Sequence, residues 1–195
     1  MPEIIPRWEW RTFASGSFGQ AEDLIRAAGD ARVRRSTEVY ILSAQSMNNT
    51  KVRDDLMDIK TLKAVDAHKL EQWNPILKAA FPLEADTLQE IFAAFGVAPP
   101  QLARGAYTFA QYIDELIGPH ADLVPVDVVK ERHGFMIDGT IVEIAEVSFN
   151  GKAQRTVAVE HEDPALVWAT VRKLKLDGFE NINYLRAMKA SVGMA

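Results

Sequence analysis

The sequence predicts an α+β fold in which antiparallel strands form a closed or nearly closed β-barrel. Three observations support this prediction. Segments with alternating apolar and polar residues occupy both ends of the chain, tight turns join consecutive segments, and the middle has helical spacing. We therefore expect one domain over residues 1–195, with a helical insertion at about 66–120 and helices at the C-terminal end.

Strands in the first third of the chain are predicted from alternation and from β-forming residues. In chain order, the elements are a strand at 7–13, a helix at 20–28, a strand at 37–43, and hairpin arms at 50–53 and 57–62. The hairpin turns through Asp54-Asp55, because aspartate side chains favour turns.

The helical insertion is predicted from about 68 to 118, where helical spacing is interrupted by prolines and glycines. This pattern indicates about three short helices. Strands then resume at 124–137, 140–149 and 154–161, joined by Asp138-Gly139 and Asn150-Gly151 turns. Helices at 164–174 and 181–190 follow, the first capped by Asp163-Pro164.

The composition is that of an ordinary soluble globular protein, with 48% hydrophobic and 25% charged residues. A net charge of -5 argues against a general nucleic-acid binder, so a basic site must be local. The absence of cysteine excludes disulfides and thiolate metal sites. Because neither a signal peptide nor a long apolar run is evident, we expect a cytoplasmic protein without a membrane partner.

The charged residues of several predicted strands recur at every second position. Lys51, Arg53 and Lys60 alternate with apolar residues in the hairpin, and Lys130 and Arg132 are two apart on a later strand. Residues two apart share a face of a strand. Inside a barrel, such cations are costly unless paired or bound to an anion, and phosphate chains suit them. On an open sheet they would form a solvated face, and the pattern leaves both interpretations open.

The order of these motifs resembles that of a known family. The segments that carry the resemblance are Arg7–Phe13 (RWEWRTF), Glu38-Val-Tyr40, Thr50–Arg53, Met57–Lys60, Lys130-Glu-Arg132, Ala158-Val-Glu160 and the tail KLKLDGFENINYLRAMKASVG. Over nearly the whole chain they are similar to the CYTH superfamily, also called triphosphate tunnel metalloenzymes. The sequence departs from the family at Arg7 and Ala158, where carboxylates are usual, and at Arg11, where lysine is usual.

The resemblance implies a phosphate site and a divalent metal, Mg²⁺ or Mn²⁺. The phosphate-binding residues would be Arg11, Lys51, Arg53, Lys60, Lys130 and Arg132. Glu9 and Glu160 would hold the metal, and with Lys60 they would be catalytic. Glu143 and Glu146 are three apart, so they face opposite ways and only one can join the site. The sequence leaves open which one, and Glu146 is taken as the candidate third ligand.

The function implied is hydrolysis of a triphosphate-containing substrate: inorganic triphosphate, a nucleoside triphosphate or a related polyphosphate. One alternative is a catalytically degenerate module that binds a phosphorylated ligand or nucleotide. Another is a class IV-like adenylate cyclase, although no base-recognition site is evident in the sequence. We expect a small anionic phosphate substrate and no nucleic-acid partner, and leave a homodimer open.

Overall fold

A computed structural model of the chain describes residues 5–194, and in this part eight strands close into an antiparallel barrel. This confirms the predicted α+β class. The strands are β1 (Trp8–Ala14), β2 (Arg32–Ser43), β3 (Asn49–Arg53), β4 (Leu56–Val65), β5 (Glu71–Ala80), β6 (Leu83–Glu84), β7 (Ala106–Tyr107), β8 (Leu123–Ile137), β9 (Thr140–Phe149) and β10 (Lys152–His161). Around the barrel the order is β1-β10-β9-β8-β2-β3-β4-β5, while β6 and β7 form a separate pair.

The helices lie outside the barrel wall or at its end. They are α1 (Gln20–Arg26), α2 (Ala85–Phe95), α3 (Phe109–Gln111), which continues as a π-helical segment over Tyr112–Ile117, α4 (Pro164–Lys173) and α5 (Tyr184–Val192). The side chain of Asp163 caps α4 by accepting from the backbone N–H of Ala165 at 2.8 Å. Every helix in the described part of the chain is too short or too polar to cross a bilayer.

The predicted start of the helical insertion was wrong, because Glu71–Ala80 is strand β5 and not a helix. This strand pairs with β4 on one side and β1 on the other, and it thereby closes the barrel. Pro75 stands opposite Lys60 where the β4–β5 register shifts, a bulge position that tolerates a residue without an N–H group. The helices of the insertion therefore begin only at Ala85.

Two of the three apolar clusters in the described part of the chain lie between the outer wall of the barrel and the helices. In one, Trp10 of β1 belongs to the same cluster as Ile25 of α1 and Val171 of α4. In the other, Met57 of β4 clusters with Phe92 of α2. Burying these apolar faces outside the wall leaves the alternate residues of the same strands directed into the barrel.

The third apolar cluster fills one end of the barrel interior. Tyr184, Leu185 and Met188 of α5 belong to it, together with Val126 and Val128 of β8. Helix α5 therefore closes this end of the barrel. Beyond it, the inward positions of the strands carry charged side chains.

Candidate functional site

All six predicted phosphate-binding cations occupy the inner face of the barrel wall. Directly paired residues of adjacent strands share a face, and Lys51 lies opposite the inward Tyr40 and opposite Asp58. Lys130 is paired with Ser36 and is only 4% exposed, and Arg11 is 5% exposed. Because the sheet is closed and these cations converge, the alternative of an open sheet with a solvated basic face is wrong.

Glu38 is the centre of one group of charged side chains in the barrel. Its carboxylate is 1% exposed and accepts a hydrogen bond from Lys130 Nζ at 2.8 Å, and Arg53 Nη1 lies 3.4 Å from it. Lys130 Nζ also donates to the Tyr40 hydroxyl at 2.9 Å. The carboxylate thus fixes the position of two cations of the site.

The pKa values of this group follow from burial and from close opposite charges. Burial acts to raise the pKa of Glu38, but the positive charges of Lys130 and Lys51 outweigh this effect and lower the pKa to about 2. Burial lowers the pKa of Lys130 to about 8, against the opposing attraction of Glu38. At neutral pH, Glu38 is ionised and Lys130 remains mostly protonated.

Arg11 is the centre of a second group, on the opposite side of the interior. Its Nε donates to Glu9 Oε1 at 2.7 Å, and its Nη1 donates to Thr156 Oγ1 at 3.2 Å. Glu143 and Glu160 lie 3.7 and 4.0 Å from its guanidinium nitrogens. Burial acts to lower the pKa of Arg11, but Glu9 and the other nearby acidic groups raise it well above its usual value. Arg11 is therefore a permanent cation among three carboxylates.

The two carboxylates expected to hold a metal ion face each other across the β1–β10 pair. Glu9 is the register partner of Glu160, and Arg7 Nη1 lies 3.7 Å from Glu160. Burial and then the charge of Glu9 raise the pKa of Glu160 to about 7. Within residues 5–194, no group of three or more acidic, histidine or cysteine residues is arranged to hold a metal. Two carboxylates still fit Mg²⁺ or Mn²⁺, since Mg²⁺ is commonly bound by one or two carboxylates together with substrate phosphates.

Glu146 was the wrong choice between the two acids of β9. Its side chain is 59% exposed and pairs with Arg155 Nη2 at 2.6 Å on the outer wall. Glu143 is the inward residue, because it is paired with Ala158, which is itself paired with Arg11. The alternation of side chains along β9 places the two acids on opposite faces, as expected, but only the assembled barrel shows which face is internal.

The three residues expected to be catalytic meet in one place. Glu9, Lys60 and Glu160 line a cavity of about 400 Å³, together with Arg7 and Trp73. Lys60 reaches this cavity from β4, where it is paired with Asn49. The structure therefore brings these residues together, while their chemical roles stay a prediction.

Tyr184 forms part of the floor beneath the cations and was not identified from the sequence. Its ring centre lies 4.1 Å from Lys130 Nζ and 4.5 Å from the Arg11 guanidinium carbon, both cation–π distances. Its hydroxyl is buried without a hydrogen-bond partner in the described part of the chain.

The motif Glu38-Val-Tyr40 contains two residues of the site that are not among the predicted site residues. The signal that could have identified them is their alternation with Thr37 and Val39, since it places both on one face of β2. No comparable signal selects Tyr184, whose position depends on how α5 packs into the barrel.

Comparison with known proteins supports the architecture. No protein-family model and no curated protein sequence matches the chain. A candidate adenylyl cyclase from Hippeastrum, described as having a dominant triphosphatase activity, has a TM-score of 0.52 at 12% identity, over 95% of this chain and 96% of that one. The chain therefore shares the fold of that structure, a closed antiparallel barrel around a charged interior, the tunnel.

Two further structures are similar to this chain with lower TM-scores. A conserved hypothetical protein from Pyrococcus furiosus has a TM-score of 0.49 at 12% identity, over 92% of this chain and 97% of that one. A candidate adenylate cyclase from Bacillus halodurans has a TM-score of 0.48 at 12% identity, over 92% of this chain and 95% of that one.

The charges of the tunnel are distributed unevenly around its wall. Strands β3, β4 and β8 contribute most of the cations, with Glu38 and Asp58 among them, and β1, β9 and β10 contribute carboxylates around Arg11. Such a distribution can place an anionic chain along the cationic side while leaving carboxylates beside one end of it.

Proposed function

We propose that the tunnel binds a triphosphate-containing compound and, with Mg²⁺ or Mn²⁺, hydrolyses its terminal phosphoric anhydride bond. Inorganic triphosphate, a nucleoside triphosphate and a related polyphosphate are the candidate substrates. The observation that carries the proposal is the convergence of inward cations on a site in which Arg132 lacks partners. Its Nε and Nη2 atoms are buried and make no hydrogen bond in the described residues. An anion in the tunnel would satisfy them.

The cations have distinct tasks in this proposal. Lys130 and Arg53, held by Glu38, neutralise the phosphate chain from one side, and Arg132 adds hydrogen-bond donors that are otherwise unused. Lys60 approaches from β4, beside Glu9, where it can neutralise charge that develops as the bridging P–O bond breaks.

The carboxylates beside Arg11 would supply the metal ligands. Glu9 and Glu160 would hold the divalent ion, which when bound neutralises phosphate charge and polarises a phosphoryl oxygen. Without a bound ion the pKa of Glu160 is raised to about 7, so near neutral pH a divalent ion would displace a proton from this carboxyl group.

Hydrolysis is favoured here over nucleotide cyclisation. The similar structure from Hippeastrum is described as having a dominant triphosphatase activity, and the likeness of fold supports that reaction class as the proposal for this chain. The sequence also lacks an evident site for a nucleobase, which a cyclase requires.

A second candidate function is binding of a phosphorylated ligand without turnover. Arg7 and Arg11 lie close to Glu160, and Arg11 also contacts Glu9, so arginines already neutralise the two proposed metal ligands. A site neutralised in this way can hold an anion without a divalent ion.

Phosphate release from inorganic triphosphate, measured with Mg²⁺ and with Mn²⁺, tests the hydrolase proposal. We expect release by the wild-type protein and a loss of about a hundredfold in Lys130→Met, because a buried charge-assisted contact to phosphate is removed. Lys173→Met is the matched control, since Lys173 pairs with Asp138 outside the tunnel. Its activity should equal that of the wild type.

The outcome that rejects hydrolysis is a folded protein that releases no phosphate from any candidate substrate with either metal. Calorimetry then tests the second candidate. Tight binding of triphosphate in the presence of a chelator, without turnover, identifies a binding module.

A further inference from the structure

A second cavity, of about 720 Å³, lies at the mouth of the tunnel. Its charged lining consists of four arginines and two carboxylates: Arg7, Arg32, Arg34, Arg132, Asp30 and Glu143. The excess of positive charge is local, because the chain as a whole has a net charge of -5. A concentration of arginine in a cavity favours an anionic ligand.

The arginines of β2 continue the inner face of the tunnel. Arg32 and Arg34 are separated from Glu38 by an even number of positions, so all three side chains project from the same face of β2. Arg34 is paired directly with Arg132 of β8, and Arg32 is paired with Gly134. The mouth is thus an extension of the wall that carries the tunnel cations.

The pairing of Arg34 with Arg132 is unfavourable in the absence of an anion. Like charges directly opposite each other on adjacent strands repel. Within residues 5–194, neither Arg32 nor Arg34 forms an ion pair or a side-chain hydrogen bond, and two buried nitrogens of Arg132 have no partner. Arg35, on the opposite face of β2, is instead paired with Glu131 at 2.7 Å.

The cations form successive levels along the tunnel. Each level is a pair of inward residues on β2 and β8. The first is Ser36 with Lys130, the second, two residues closer to the mouth, is Arg34 with Arg132, and the third is Arg32 with Gly134. Two residues of a strand advance about 7 Å, so these levels span about 14 Å of wall. An extended anion bound at Lys130 would pass the mouth arginines in turn.

We propose that Arg32 and Arg34, with Arg132, form a second anion subsite, and that the preferred ligand is a linear phosphate chain longer than triphosphate. The inference rests on the proposed function, because it assumes that the tunnel takes a phosphate chain. It goes further because it attributes a preference for long chains to Arg32 and Arg34, which lie outside the segments that carry the family resemblance.

Calorimetry with inorganic triphosphate, linear tetraphosphate and a longer linear polyphosphate tests this subsite directly, without requiring turnover. We expect affinity to rise with chain length in the wild-type protein. Arg32→Ala and Arg34→Ala should each lower the affinity for the longest chain by about tenfold, since each removes a charge-assisted contact. Their affinity for triphosphate should be nearly unchanged.

Arg35→Ala is the matched control, because it removes an arginine from the same segment of β2 but from the other face. This variant should keep the full dependence on chain length. Raising the ionic strength should reduce the advantage of the longest chain, because charges at the exposed mouth are screened by salt.

The failure of this inference can be distinguished from failure of the proposed function. Equal affinity for all chain lengths, with triphosphate bound, overturns the mouth subsite alone. A wild-type protein that binds no triphosphate rejects the proposed function. A single-stranded oligonucleotide that binds as tightly as the longest polyphosphate, and loses affinity in Arg34→Ala, overturns the assignment of the ligand class.

Discussion

Glu38 is buried among the cations of the tunnel, where an isolated charge would be costly. It is retained as a carboxylate because Lys130 donates to it at 2.8 Å and Arg53 lies 3.4 Å away. In return, it keeps these two cations in place before a ligand arrives. Such preorganisation reduces the reorganisation needed when an anion binds.

Replacement of this carboxylate should destabilise the fold. We expect Glu38→Ala to lower the free energy of unfolding by about 3 kcal/mol at pH 7, because Lys130 is left buried without its partner. The pKa of Glu38 is about 2 in the folded protein, below its ordinary value of 4.5. The loss of stability in Glu38→Ala should therefore be largest above pH 4.5 and should decrease as the pH falls toward 2. Urea unfolding measures it.

The control for Glu38 is Glu131→Ala, which removes a carboxylate from an exposed pair with Arg35 and should change stability little. Triphosphate should recover part of the stability lost in Glu38→Ala, because the anion can replace the missing negative charge. Equal losses in the two variants would contradict the role assigned to Glu38.

Glu160 should make stability depend on pH in the opposite direction. Its pKa is raised from 4.5 to about 7, so the folded state favours the protonated form. The free energy of unfolding of the wild type is therefore highest, as far as Glu160 affects it, below about pH 4.5, and it falls as the pH rises through 7. We expect Glu160→Gln to be about 3 kcal/mol more stable than the wild type at pH 8 and equal to it at pH 4.

Urea unfolding at several pH values measures this difference for Glu160. The exposed residue Glu90 of α2 supplies the control, because Glu90→Gln removes a carboxylate far from the tunnel and should leave the pH profile unchanged. A Glu160→Gln profile parallel to that of the wild type would show that the two carboxylates are not crowded in solution.

At the scale of elements, α5 does more than end the chain. It closes one end of the barrel with Tyr184, Leu185 and Met188, and its Tyr184 ring lies beneath Lys130 and Arg11. The helix is fixed at its start by Asn183, whose side chain accepts from the backbone N–H of Arg186 at 2.9 Å. The floor of the site therefore depends on the packing of a terminal helix.

Shortening Leu185 should weaken both the fold and the site. Leu185 is buried, so Leu185→Ala should lower the free energy of unfolding by about 3 kcal/mol through the cavity it creates. Leu166 of α4 is partly exposed, and Leu166→Ala is the matched control, with a much smaller loss. Thermal unfolding with and without triphosphate compares the two variants. If triphosphate stabilises Leu185→Ala as much as the wild type, ligand binding does not depend on the packing of α5.

At the scale of the whole molecule, the charge is distributed unevenly. The chain carries a net charge of -5, yet the tunnel and its mouth concentrate lysine and arginine. Such a field attracts small anions and discourages association with extended polyanions along the rest of the surface. The barrel also joins residues from distant parts of the sequence, such as Arg11 and Thr156.

Because the site contains repelling cations, a bound anion should stabilise the entire barrel. We expect triphosphate to raise the free energy of unfolding by about 2.7 kcal/mol at a hundred times its dissociation constant. At the same ligand concentration, Arg132→Met should show a much smaller shift, and Lys173→Met should match the wild type. Thermal unfolding measures all three, and a shift retained in Arg132→Met would contradict an anion bound at this residue.

Residues close together in the chain account for most of the local elements and for which side chains share a face of a strand. Glycine turns fixed the hairpins of β8, β9 and β10, and alternation put Lys51 with Arg53 and Lys130 with Arg132 on common faces. These features depend on residues close in the chain, so a local pattern suffices to predict them.

Which face is internal, and which segment closes the barrel, depends on pairing between distant strands. Glu71–Ala80 has helix-like spacing but becomes β5 because β1 and β4 offer it partners on both edges. Glu143, and not Glu146, points inward because of the register that joins β9 to β10. Tyr184 reaches the site through the packing of α5. These choices depend on pairings and contacts between residues far apart in sequence, and local periodicity contains no information about them.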